Sequence, residues 1–139
     1  MTAELSAAGH DGLVIAERWY DRVVVIEAAG SVDMLTAPWL SAAMTAAAAQ
    51  SPAGTIIDLS AVEFLALAGT RALLVTRAGT VPPARFGVVA NVPAIRRLFT
   101  LLGIDDIIDL YPTVEDALVA MNCAHLPPAR YSLDASFQS

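Results

Sequence analysis

Residues 55–75 read Thr-Ile-Ile-Asp-Leu-Ser-Ala-Val-Glu-Phe-Leu-Ala-Leu-Ala-Gly-Thr-Arg-Ala-Leu-Leu-Val, and two different periodicities meet inside them. Thr55-Ile56-Ile57 is a short β-branched run with turn signals outside it, Ser51-Pro52 before and Ser60 after, which predicts a buried strand. Val62, Phe64 and Leu65 carry an apolar link into a second segment. From Leu67 the apolar positions Leu67, Leu74 and Val75, with Ala68 and Ala72 between them, recur at helical spacing. The local prediction is strand, short loop, helix. A helix that follows a strand turns its first, unpaired backbone N–H groups toward the strand's end, a natural place for recognition.

Upstream, Leu13–Tyr20 and residues 22–29 are two apolar-rich runs split by Asp21. The short link Tyr20-Asp21-Arg22 predicts a hairpin, with its register open because neither parity of the first run is cleanly polar. Val23-Val24-Val25-Ile26 is β-branched throughout and suits a strand buried on both faces. Gly30-Ser31-Val32-Asp33 breaks that run. Thr36 and Pro38 then give start signals for a helix that runs to about Gln50, with Trp39, Leu40, Ala43, Met44 and Ala47 on one face.

Downstream, Pro82-Pro83 stops the central helix. Residues 86–90 form the next strand. Asn91 is a credible cap for a helix that begins at Val92-Pro93, carries Ile95, Leu98, Phe99 and Leu102, and closes at Gly103. Residues 107–111 give a last short strand. Pro112 and Thr113 open a final helix with Glu115 and Asp116 in its first turn, where the helix dipole favours acids. Strand-helix alternation from Thr55 onward favours parallel pairing with crossover helices, whose single apolar faces need a sheet as their floor. Neither argument fixes strand order.

Asp58-Leu59-Ser60, Val62-Glu63-Phe64-Leu65 and Gly69 resemble the signature of the STAS family, whose type members are bacterial anti-sigma factor antagonists. Gly30-Ser31-Val32-Asp33 follows that family's Gly-x-hydrophobic-Asp step, and Glu115-Asp116-Ala117-Leu118 fits its closing helix. The resemblance runs from Leu13 to about Met121. It implies one α/β domain over residues 13–121, a mixed β-sheet with helices packed mainly on one face. Residues 1–12 are then an N-terminal extension and residues 122–139, with Pro127-Pro128, a C-terminal appendage. In the type members an Asp-Ser pair begins the central helix, and a partner kinase phosphorylates the Ser. Here the pair is Ala66-Leu67, and Leu67 cannot accept a phosphate.

Composition bounds the rest. A chain of 139 residues should make one domain with a respectable core. A net charge of −6 argues against a nucleic-acid surface, and Arg96-Arg97, the only adjacent basic pair, reads as a solvated face. No apolar run approaches the roughly 18–20 residues of a membrane helix. The first twelve residues lack the pattern of a signal peptide, so a cytoplasmic protein is expected. Cys123 has no second cysteine to pair with. His10 and His125 fall outside the expected domain, and Gly69 stands alone without the ending of a phosphate loop. The neighbouring carboxylates Asp105-Asp106 and Glu115-Asp116 point apart. Enzymatic chemistry, a metal and a cofactor are therefore not expected.

What remains is a binding surface. The resemblance assigns it to Ser31, Asp33, Ala66, Leu67, Ala68, Gly69 and Thr70, facing a kinase-like anti-sigma factor; a homodimer is also compatible with the sequence. Asp33 either contacts the partner or simply satisfies loop amides. Leu67 either stands exposed as an anchor or turns inward as core. Thr70, about one turn on, is a second candidate phosphate acceptor or an ordinary helix residue. The expected function is an anti-sigma factor antagonist without the usual phosphorylation switch. The alternative is a STAS adaptor in a transport or lipid- or small-ligand-handling complex.

Overall fold

Val23, Val24, Val25 and Ile26 are fully buried in the computed structural model, which describes residues 6–10 and 12–122. They begin β3 (Val23–Val32), the strand on which the sheet is ordered. β3 pairs antiparallel with β2 (Leu13–Tyr20) on one side and parallel with β4 (Gly54–Leu65) on the other. The hairpin register left open by the sequence runs from Tyr20 opposite Val23 to Leu13 opposite Gly30. β5 (Arg85–Val89) and β6 (Asp109–Tyr111) continue the parallel side in order. At the other edge β1 (Ser6–His10) lies antiparallel to β2, so part of the segment read as an extension supplies an edge strand. The six strands follow one another across the sheet in chain order.

That order explains where the helices go. α1 (Ala37–Ala48), α2 (Leu67–Ala78) and α3 (Pro93–Leu101) each cross between neighbouring parallel strands. The strands advance in one direction, so right-handed crossovers place all three helices on one face. α4 (Val114–Asn122) follows β6 and packs on the other. The period of two along each strand sorts the core accordingly. Val24, Ile26, Ile57, Leu59 and Val88 join Leu40, Leu73 and Phe99 on the three-helix side. Val23, Val25, Ile56 and Val89 meet Ala117 on the α4 side. Each such fully buried side chain contributes about 1.5–3 kcal/mol relative to exposure. The mixed sheet with helices mainly on one face is the architecture that the STAS resemblance implied.

Several local predictions shift. α1 ends at Ala48, and Trp39 is exposed while Leu40, Met44 and Ala47 are buried. A 3₁₀ turn at Ile104–Asp106 precedes β6, which starts only at Asp109; Ile108 enters the core and Ile107 faces solvent. Asn91 does not cap α3: its side-chain amide donates to the Pro112 carbonyl at 3.2 Å. Thr113 does cap α4, accepting the Asp116 amide at 3.0 Å. Gly103 takes a left-handed conformation (φ 72°) just beyond α3, as its place in the sequence predicts. No helix among the described residues is long and apolar enough to cross a membrane. Cys123, His125 and the expected appendage from residue 123 onward lie outside the described residues.

Candidate functional site

β4 outruns the rest of the parallel sheet. It pairs with β5 only as far as Asp58, and from Ala61 to Leu65 it pairs with β3 alone. This two-stranded end delivers the β3–α1 loop and the β4–α2 junction to the same place, tied by the Ala66 amide donating to the Val32 carbonyl at 2.8 Å. At the base of the ribbon Gly30 has φ 111°, and a Cβ there would stand 2.0 Å from the Gly12 carbonyl oxygen, so only glycine fits.

Asp33 organises the first loop. Its Oδ1 accepts the Leu35 and Thr36 amides, both at 2.9 Å. The buried Thr36 hydroxyl accepts the Asp33 amide and donates to the Ser31 carbonyl, each at 2.9 Å. The Thr36 amide, ahead of the Leu35 amide, holds the Asp33 carboxyl below its ordinary value by favouring the charged form. Thr36 thus occupies the N-cap position of α1 without capping through its side chain; its hydroxyl is used to close the loop instead. The result is a fixed loop that carries Met34 and Leu35 outward, 78% and 75% exposed.

The second element is the start of α2. Ala66 is its N-cap residue, in extended backbone and without a side-chain cap. Leu67 follows, 67% exposed, so it is not core. Gly69 and Thr70 turn the other way. A Cβ on Gly69 would lie 2.5 Å from Val32 Cγ1 and 2.6 Å from Leu65 Cδ1, so the missing side chain is what lets α2 approach the ribbon. Thr70 is 3% exposed and its hydroxyl donates to the Ala66 carbonyl at 3.4 Å, turned back on the helix.

Between the two elements lies a shallow apolar groove of about 510 Å³. Met34, Ala37, Pro38 and Ser41 form one wall, at helical spacing along α1 and its lead-in. Leu67, Ala68, Arg71, Ala72 and Val75 form the other, along the outward side of α2. Of the seven residues expected to bind a partner, Leu67 and Ala68 line the groove. Ser31, Asp33 and Ala66 build the loops that shape it, and Gly69 and Thr70 are packed beneath. Met34, Pro38, Arg71 and Val75 were not read as site residues from the sequence. Their signal was the spacing of Leu67, Arg71 and Val75 at successive turns, opposite Met34, Pro38 and Ser41.

A separate polar cluster sits where β4 leaves β5. The Ser60 amide and hydroxyl both donate to Asp58 Oδ1, at 2.9 and 2.6 Å. The Asn91 amide reaches Ser60 Oγ at 3.4 Å. These bonds brace the Asp-Leu-Ser step within β4 at the point where its pairing with β5 ends. No group of three or more metal-ligating side chains gathers among the described residues.

Residues 15–117 match the sequence pattern of the STAS domain. The anti-sigma-F factor antagonist RsfB of Mycobacterium tuberculosis is 34% identical over 111 residues, spanning 80% of this chain and 91% of RsfB. The crystal structure of an anti-sigma factor antagonist from Mycobacterium paratuberculosis superposes with a TM-score of 0.71 at 40% identity, over 87% of this chain and 95% of that one. The anti-sigma factor antagonist SpoIIAA in its unphosphorylated form shares the fold, with a TM-score of 0.64 at 19% identity, over 78% of this chain and 96% of that one.

Proposed function

The chain belongs to the STAS domain family, and from that premise we propose that it works by binding rather than by turnover, as an anti-sigma factor antagonist. It docks an anti-sigma-F-type factor on the groove between α1 and α2, in the cytoplasm, and so frees a sigma factor. The observation that carries this reading is Leu67, 67% exposed on the wall of an apolar groove; by the family resemblance it takes the place of the type members' phosphorylated Ser. A phosphate there adds roughly −1.5 to −2 charge. Leucine adds none, and full burial of its side chain under a partner contributes about 1.5–3 kcal/mol. The groove is therefore permanently in its docking-competent form, with no phosphorylation control at residue 67.

The test is calorimetric titration with the anti-sigma-F factor of Mycobacterium tuberculosis, the class of target that the name RsfB specifies. Wild type binds. Leu67→Glu, which must desolvate a carboxylate without a counterion, binds weaker by orders of magnitude while melting with wild type. If wild type fails to bind, or Leu67→Glu binds equally well, the assignment of this groove is wrong.

A further inference from the structure

We propose, resting on the docking reading above, that the partner's docking segment carries a carboxylate set to pair with Arg71, next to the apolar side chain that fills the groove. Arg71 is exposed and is the single ionisable residue lining the groove. Among the described residues it makes no hydrogen bond or ion pair, which sets it apart from the arginines that serve the fold. Arg18 meets Glu27 at 3.4 Å, Arg22 donates to the Ser51 carbonyl, Arg85 to the Ala120 carbonyl and Arg96 to the Ala90 carbonyl. The carboxylate on the facing loop, Asp33, is already committed to the Leu35 and Thr36 amides.

Position makes the pairing necessary. Leu67, Arg71 and Val75 stand at successive turns of the same helix, with Arg71 in the middle. Leu67 and Val75 are both largely exposed, at 67% and 63%. A partner that covers both of them covers Arg71 as well. The guanidinium keeps its charge in any protein environment, so burial without a counter-charge opposes binding. Its methylene stem covers apolar surface while its planar head presents a fork that fits a carboxylate. The chain's net charge of −6 repels polyanions at long range, which favours a single acid on an otherwise apolar protein segment over nucleic acid.

The experiment uses the full chain and the same anti-sigma-F factor. Arg71→Glu should weaken binding about 100-fold, Arg71→Met about tenfold, and Arg71→Lys less than Arg71→Met. Raising salt from low to high should weaken wild type several-fold and leave Arg71→Met nearly unchanged. A set of partner variants, each with one Asp or Glu replaced by Arg, should contain one that restores binding to Arg71→Glu. Each variant's melting curve is recorded, since an exposed Arg should leave the fold intact. If Arg71→Glu and Arg71→Met bind like wild type while Leu67→Glu does not, the docking site stands and the acidic partner falls. If Leu67→Glu binds like wild type, the docking site itself falls.

Discussion

The two sides of α2 each carry apolar residues in sequence and do opposite things in the structure. Gly69, Thr70 and Leu73 face the sheet and are buried; Leu67, Arg71 and Val75 face outward and are exposed. What separates them is size near the helix start. The inward side begins with a residue that has no side chain, which lets the helix rest against Val32 and Leu65, and only then places a leucine in the core. The outward side puts a leucine at the first turn, where it stands in solvent. Apolar periodicity finds a helix, but the small residues show which side of it touches the sheet.

The sharpest way to break that comparison is to cut one leucine from each side. Leu73→Ala removes a fully buried side chain and should destabilise the domain by about 2–5 kcal/mol. Leu67→Ala should change stability by no more than about 0.5 kcal/mol, because that side chain is mostly in water. Urea unfolding of the two variants beside wild type measures both. Equal losses would mean that Leu67 supports the core.

The same contrast shows why the fold was more legible than the site. Val23–Ile26 and Ile56-Ile57 are short β-branched runs that favour buried strands, and prolines and glycines punctuate the helices. Strand-helix alternation then favours parallel pairing without fixing strand order, and the helices mainly on one face came from the STAS resemblance. The site depends on rotation about a helix axis. Reading Leu67, Leu74 and Val75 as one apolar face was off by part of a turn, since Leu73 alone of the leucines on that helix is fully buried. Thr70 was a candidate because it lies about one turn after Leu67, yet its hydroxyl is turned back on the helix. Arg71 and Met34 carry no motif; only the approach of α2 to α1 and its lead-in brings them to one groove.

A smaller effect, of opposite sign, comes from the first turn of the outward side. Ala66 holds N-cap geometry (φ −84°, ψ 170°) but has no side-chain oxygen to offer the first helix amides. Ala66→Asp supplies one, and its charge suits the helix dipole, so stability should rise by about 0.5–2 kcal/mol near neutral pH. Urea midpoints at matched slopes check this. A variant no more stable than wild type would show that the amides of this turn are already satisfied, and that the exposed start of α2 is no weaker than its buried side.

The smallest effect belongs to the loop opposite, where Asp33 fixes Met34 and Leu35 in place. Its carboxyl is held below the ordinary aspartate value, chiefly by the Thr36 amide. A group whose pKa is lower folded than unfolded adds stability above its unfolded value, near 3.9, and loses it as pH falls through the folded value. In Asp33→Asn the side-chain oxygen can still accept the Leu35 and Thr36 amides, but it has no charge to lose. The variant should therefore be slightly less stable than wild type at neutral pH, and the two should converge in acid as Asp33 protonates. Unfolding curves collected from pH 7 down to pH 3 give the comparison. A gap that stays constant over that range would mean that the loop depends on the shape of the side chain and not on its charge. Convergence, together with faster amide exchange at Leu35 and Thr36 in the variant, would show that a charged cap holds one wall of the groove while the other wall, at Leu67, needs none.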